Sequence, residues 1–364
     1  MKARAAIFMG MKKPFEIRDF DITPTPTGYG RSRLIASGVC GTDLHFHRGT
    51  LAVGVPSIIG HEFVGRLEDC NPEEAAKFGL KIGDAVIADI AVPCGECALC
   101  RAGDDANCVN MGLTNDGSIE TPPYLYGGYT QVNYTPLTNL IKIPESLNPT
   151  AVAAFACPGP TAVHAFRLAK QANMMPNENT VAVVQGLGPV ACFAILYLKA
   201  LGVKKIYAVT NGYTAEKEEL AHRLGVDEVF FLAKTPEEEV VAKLQKENGG
   251  LGVDFCFEGS GARGAFSFGM AVLRNRGVYL VPGQYSDQGA VEIHPEAITF
   301  KALQILGSSQ YSMIDVRDYL AFLVDHPECE ETVLSLASCY PVADVNQAFA
   351  DAEAGKNVKT LLVE

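Results

Sequence analysis

Val181-Ala182-Val183-Val184-Gln185-Gly186-Leu187-Gly188-Pro189-Val190-Ala191 carries the reading of the whole chain. The apolar run at its start describes a strand buried on both faces, and the apolar residues that continue to Leu198 describe a helix. Between them stands a Gly-x-Gly-x-x-Ala turn. Gly186 permits the tight turn, Gly188 lets a ligand approach the backbone, and Ala191 lets the helix lie close against the sheet. The helix amino terminus, framed by Leu187, Pro189 and Val190, then offers N–H groups and a positive dipole end to a pyrophosphate. A glycine turn alone is commonplace. Its position between a buried strand and a helix makes it a dinucleotide-binding fingerprint.

Downstream, apolar runs at Lys205–Thr210, 253–257 and 278–281 alternate with helix-like segments at 215–224 and 235–247. This alternation predicts a doubly wound α/β domain with a parallel sheet covered on both faces. The strand after the fingerprint ends Thr210-Asn211-Gly212-Tyr213, with no carboxylate for the adenosine ribose of NAD. Gly212 leaves room for the 2′-phosphate of NADP, and Lys217 is the nearest cation. Both cofactors stay open, with Gly212 as a plain turn the alternative. Upstream, as far as Cys157, glycines, prolines and short runs such as Ser57-Ile58-Ile59 and Asp84-Ala85-Val86-Ile87 predict an irregular β domain. After Leu306 come a helix-like stretch at 316–324 and a final strand at 358–363.

The 364 residues contain 42 acids against 30 bases, a formal charge of −12, and no basic run. That balance excludes a surface built on many phosphate contacts, so nucleic acid is not an expected partner. With 48% apolar and 20% charged residues, the chain can bury the cores of about two domains. Its longest apolar stretch, 190–198, is about half of the roughly 18 residues a membrane span needs. The amino terminus also lacks the apolar block of a secretory signal. No membrane contact and a cytoplasmic location are therefore expected, with the eleven cysteines reduced.

Four of those cysteines, Cys94, Cys97, Cys100 and Cys108, fall in one short segment at spacings that suit a tetrahedral zinc site better than free or disulfide-bonded thiols. A closed site of this kind stiffens a lobe. A second constellation is dispersed over Cys40, Gly60-His61-Glu62 and Ala156-Cys157-Pro158. It offers two thiolates and an imidazole, with a fourth position for water, a substrate oxygen or Glu62. An inert buried Cys157 and a hydrogen-bonded structural His61 are the competing readings.

Cys40-Gly41-Thr42-Asp43, Gly60-His61-Glu62 with Gly65, Gly83-Asp84, the four-cysteine segment, Cys157 and the Gly186 turn follow one another in a familiar order. Over essentially its whole length the chain resembles the zinc-dependent alcohol dehydrogenases of the medium-chain dehydrogenase/reductase superfamily. The resemblance implies a GroES-like irregular β catalytic domain over 1–158, including a structural-zinc lobe. It further implies a Rossmann NAD(P)-binding domain over 159–305 and a segment 306–364 that completes the catalytic domain. About two zinc ions per chain are implied. Cys40, His61 and Cys157 would hold the catalytic ion with Glu62 as an exchangeable neighbour, and the four-cysteine segment would hold the structural one. Asp43 would orient His61. Thr161 and Gly283 would join the Gly186 to Val190 turn, Gly212, Tyr213 and Lys217 around the cofactor. Two positions depart from better-known members: Gly41 stands where some carry an Arg on the cofactor phosphates, and Gly212 stands at the usual acid.

Hydride leaves a carbinol carbon readily once its oxygen has lost a proton. A zinc ion lowers the pKa of bound water from about 16 to about 7 and should shift an alcohol in the same sense. The resemblance implies that Thr42 takes this proton and passes it through the cofactor ribose to His45, which exchanges with solvent. His47 is the neighbouring alternative and reads as a surface residue. The expected activity is reversible NAD(P)-linked oxidation of a small-molecule alcohol to an aldehyde or ketone, by a homodimer or homotetramer. A polyol or sugar dehydrogenase is the alternative, although Cys157 stands where polyol-type relatives often carry Glu. A catalytically idle zinc-binding scaffold is the reading from another class, and it would tolerate loss of Thr42, His45 or a ligand. Ile90, Leu113, Tyr124 and Phe155 are pocket candidates that core packing explains equally. Pro282-Gly283-Gln284-Tyr285-Ser286-Asp287 resembles a bacterial branch that includes dehydrogenases of bulky cyclic alcohols.

Overall fold

The apolar run before the glycine turn becomes the strand Val181–Gln185, buried at all five positions. It lies within a six-stranded sheet in a computed structural model that describes residues 1–286 and 289–364. Across that sheet the strands run Glu228–Phe231, Lys205–Thr210, Val181–Gln185, Val253–Glu258, Leu273–Val281 and Gln304–Gly307, every pair parallel. The strand order reverses between Val181–Gln185 and Val253–Glu258. Crevices at such a reversal, beyond the carboxyl ends of the strands, are where doubly wound sheets bind ligands.

This sheet and its helices form one unit, Thr161–Gln310; Met1–Pro160 with Tyr311–Glu364 form the other. Both divisions fall later than the sequence places them. Helix Pro158–Gln171 runs through the first. At the second, Gln304–Gly307 pairs with Leu273–Val281, which keeps residues 306 and 307 in the parallel sheet.

In the first unit the long strand Tyr29–Val39 pairs antiparallel with Phe63–Cys70, Val132–Pro136 and the chain's last strand, Lys359–Val363. An aromatic-rich core lies against it, with Phe8, Phe63, Tyr129, Tyr134 and Phe349 all nearly inaccessible. The last strand sets Thr360 opposite Val39 and Leu361 opposite Gly38. It thereby carries the carboxyl end of the chain to the loop that bears Cys40.

Several elements depart from the sequence reading. The helix expected over 235–247 is confined to Glu237–Leu244, and Asn248 and Gly249 have positive φ in the next turn. The strand expected over 278–281 extends back to Leu273. Ser57 makes a single bridge to Phe8 and Ile58 and Ile59 none, because the segment turns towards the His61 loop before a ladder can form.

Candidate active site

Cys40 ends the long strand and caps helix Gly41–Arg48, whose third residue, Asp43, accepts a hydrogen bond from the Cys40 N–H at 2.9 Å. His61 enters from the loop before Phe63–Cys70, and Cys157 immediately precedes helix Pro158–Gln171. Although 117 positions apart, the Cys40 and Cys157 sulfurs lie 3.8 Å from each other. Zn–S bonds of about 2.3 Å give a tetrahedron an edge of about 3.8 Å. One donor atom from each of Cys40, His61, Glu62 and Cys157 lies within 4.8 Å of all the others. The arrangement fits a tetrahedral zinc ion.

Electrostatics point the same way. The hydrogen bond from Cys157 drives the Cys40 thiol well below its ordinary pKa against the opposition of burial, and His61 adds to the effect. The same bond, with burial, drives Cys157 well above. The two sulfurs face each other across one hydrogen bond, and an ion bound between them would displace its proton. Burial opposes charge on His61, yet Asp43 and Cys40 outweigh it and raise the imidazole well above its usual range. Asp43 is fully buried, faces His61 Nδ1 at 3.6 Å and accepts from Tyr129 Oη at 2.7 Å. This is the carboxylate–imidazole arrangement that orients a metal-bound histidine through the ring nitrogen facing away from the ion.

Glu62 lies within the ligand group. It forms a fully buried ion pair with Lys359, a residue the sequence reading missed along with Tyr129. Burial raises the Glu62 carboxyl to about 7 against the pull of Lys359. Thr42 Oγ1 lies 3.8 Å from the Cys40 sulfur, beside the ligand cluster. His45 Nδ1 meets Thr50 Oγ1 at 2.9 Å, and burial, then Arg48, lowers its pKa. His47, expected at the surface, instead stacks on Phe15 at 6.4 Å and contacts Glu353. With its side chain 20% exposed, the ring packs at the margin of the aromatic core, against Phe8 and Phe349. Phe155 is core, and Tyr124 packs on Phe20. Leu113 lies on the small ribbon Gly112–Leu113, 46% exposed.

Cys94, Cys97, Cys100 and Cys108 form the second cluster, their sulfurs within 4.8 Å of one another. Backbone N–H groups turn inwards: Cys94 N–H donates to Cys108 Sγ at 3.3 Å and Cys97 N–H to Cys94 Sγ at 3.4 Å. The N–H groups of Cys100 and Val109 lower Cys97 to about 6. Burial and Cys97 push Cys100 to about 12. No position within this all-sulfur set is left for a substrate, as suits a structural ion.

Gly186 has φ +95°, and a Cβ there would come within 3.1 Å of the Ser260 backbone. A Cβ on Gly188 would meet nothing within 4 Å, and Gly188 offers helix Pro189–Ala200 no side-chain cap. The turn therefore presents bare N–H groups to open space, which fits a pyrophosphate. A Cβ on Gly259 would lie 3.1 Å from that of Ala191, the close helix packing expected of this residue. Leu187 is buried beneath the turn, while Pro189 and Val190 are partly covered. Gly283 is required for another reason, since a side chain there would overlap the buried Glu258 carboxylate. Gly212 lies in a bend with neither positive φ nor a crowding neighbour, so neither backbone conformation nor close packing requires glycine there. Lys217 Nζ reaches the Gly212 carbonyl at 3.4 Å, and Tyr213 Oη donates to Glu218 at 3.0 Å. Lys234, absent from the sequence reading, lies over the Tyr213 ring. Thr161 lies on helix Pro158–Gln171, and Asp287 falls outside the described residues.

Residues 33–145 match the alcohol dehydrogenase GroES-like domain, and residues 189–325 match the zinc-binding dehydrogenase family. A probable D-xylulose reductase A of Emericella nidulans is 30% identical over 90% of this chain and 86% of its own. The 5-exo-hydroxycamphor dehydrogenase of Pseudomonas putida is 29% identical over 97% and 94%. An alcohol dehydrogenase from Thermotoga maritima shares the fold with a TM-score of 0.89, at 24% identity over 100% of this chain and 99% of that one.

Proposed function

The chain belongs to the zinc-dependent medium-chain dehydrogenase/reductase superfamily as an NAD(P)-dependent alcohol or polyol dehydrogenase, and from that premise we propose how its residues divide the work. Cys40, His61 and Cys157 hold the catalytic zinc. The convergence of two sulfurs from positions 40 and 157 to 3.8 Å, with an imidazole beside them, carries this reading. Zinc bound there acidifies a hydroxyl group.

Asp43 and Tyr129 fix the His61 ring so that its far nitrogen points to the ion. Thr42 Oγ1 receives the proton of the substrate hydroxyl, and His45, half-buried and low in pKa, releases it to solvent. The glycine turn at 186–190 holds the dinucleotide phosphates, with Thr161, Gly212, Tyr213, Lys217 and Gly283 completing the cofactor contacts. The four-cysteine segment holds a second zinc that stabilises its lobe.

The substrate we favour is a bulky secondary alcohol, supported by the hydroxycamphor relative. The xylulose reductases support a polyol as the second reading. An idle scaffold is disfavoured because every ligand and relay residue is present. The edge strand Gln304–Gly307 and the 81% exposed Phe300 support a homo-oligomer, and the eleven cysteines, with no disulfide among the described residues, support a reducing, cytoplasmic location.

Absorbance at 340 nm, with cyclic alcohols and polyols offered alongside NAD+ or NADP+, tests the activity. Turnover of cyclic alcohols is expected, and turnover of polyols alone would transfer the reading to the sugar class. Thr42→Val should lower kcat at least about a hundredfold while zinc content holds. A fully active variant would remove the proton relay.

A further inference from the structure

Glu62 is held in place from several sides. Gly38 N–H donates to its carbonyl at 3.2 Å, and its carboxylate fills the space that a Cβ on Gly38 would occupy. One carboxylate oxygen pairs with Lys359 Nζ, and both side chains are fully buried. Lys359 Nζ also donates to the Val39 carbonyl at 3.2 Å. The other oxygen is buried without a hydrogen-bond partner among the described residues. Even so, one oxygen of Glu62 stands within 4.8 Å of both sulfurs and the His61 nitrogen. An ammonium group and a metal position compete for one carboxylate.

We infer that Lys359 and the bare Cα of Gly38 form a holder that keeps Glu62 off the zinc and leaves the fourth ligand position to the substrate oxygen. This rests on Cys40, His61 and Cys157 holding the ion. A buried carboxylate left without a cation is costly, and with Lys359 gone the metal is the cation within reach that lets Glu62 stay charged, where otherwise it would take up a proton. Lys359 is thus a positioning residue that acts through Glu62. Gly38 serves the same end by shape, because a methyl group at this position takes the space the carboxylate now occupies. The last strand sets both parts in register, with Leu361 opposite Gly38.

Cobalt(II)-substituted enzyme titrated with imidazole tests the holder, read by thiolate-to-cobalt charge-transfer and d–d absorption. Wild type should bind imidazole at the metal with a shift of the d–d bands. Lys359→Met and Gly38→Ala, one removing the charge and the other the space, should each raise the imidazole Kd at least tenfold as Glu62 takes the position. Adding Glu62→Gln to either variant should return the Kd to within threefold of wild type, and Lys359→Arg should stay within that range. A wild-type Kd in either single variant, or no recovery in the double variants, overturns the inference. If one single variant fails to fold, the other carries the test. A thiolate–cobalt band in wild type that Cys40→Ser leaves unchanged in intensity would instead refute the ligand assignment itself, since the four-cysteine cluster would then account for all of it.

Discussion

Asp43 has three partners at once: the Cys40 N–H, the Tyr129 hydroxyl and the His61 ring. Replacing it with Asn keeps the shape and removes the charge facing the imidazole. Zinc affinity in Asp43→Asn should fall about 10–100-fold, measured by chelator competition; unchanged affinity would remove Asp43 from the site. Asp254 makes a different residue-scale case. Burial works against its carboxylate, but the Val181 N–H, Arg274 and Asn248 outweigh it and lower the pKa. A carboxylate with a depressed folded pKa stabilises the fold above its unfolded value, near about 3.9, and loses that contribution as pH falls through the folded value. The neutral-pH stability gap between wild type and Asp254→Asn should be about 1–2 kcal/mol after screening, and it should close towards pH 2 in urea titrations. Asp43 was legible because it is two residues past a Cys-Gly dipeptide in a recognised motif. Tyr129 and Lys359 were not, since a single Tyr or Lys far along the chain carries no local signal.

Among the elements, helix Ala265–Val272 ends against a half-buried ammonium: Lys301 donates to the carbonyls of Met270, Ala271 and Leu273, each at 2.9 Å. These are carbonyls that a helix terminus leaves without internal partners. Lys301→Met should therefore cost about 1–3 kcal/mol, seen as a lower Tm. An unchanged Tm would mean that water serves the carbonyls equally well. The fingerprint turn depends on Gly186 at φ +95° with Ser260 close by. Gly186→Ala should cost roughly 1–2 kcal/mol in backbone strain and weaken dinucleotide binding about tenfold, measured by cofactor fluorescence. Strand–turn–helix grammar of this kind is legible because its physics is local: burial on both faces sets the strand, and φ sets the turn. Helix ends were less so. Pro236 and the positive φ of Asn248 shorten the helix expected over 235–247, and sequence periodicity does not register either.

At the scale of the molecule, the four-cysteine cluster predicts that stability and chemistry separate. Cys94→Ser should lower the zinc content from about two to about one per chain and depress Tm, while the remaining folded enzyme keeps its KM. Wild-type melting in that variant would deny the cluster a structural ion. The sequence alone determined what short-range order can encode: the glycine turn, the alternating parallel-sheet pattern, the four closely spaced thiols and the set of motifs in their order. Only the tertiary structure decided that Lys359 lies against Glu62, that Tyr129 supports Asp43 and that His47 packs against aromatic rings at the margin of the core. Those contacts span 297, 86 and 302 positions between Lys359 and Glu62, Tyr129 and Asp43, and Phe349 and His47. Sheet register and packing of the whole unit create them, and no stretch of chain short enough to be read by itself contains both partners.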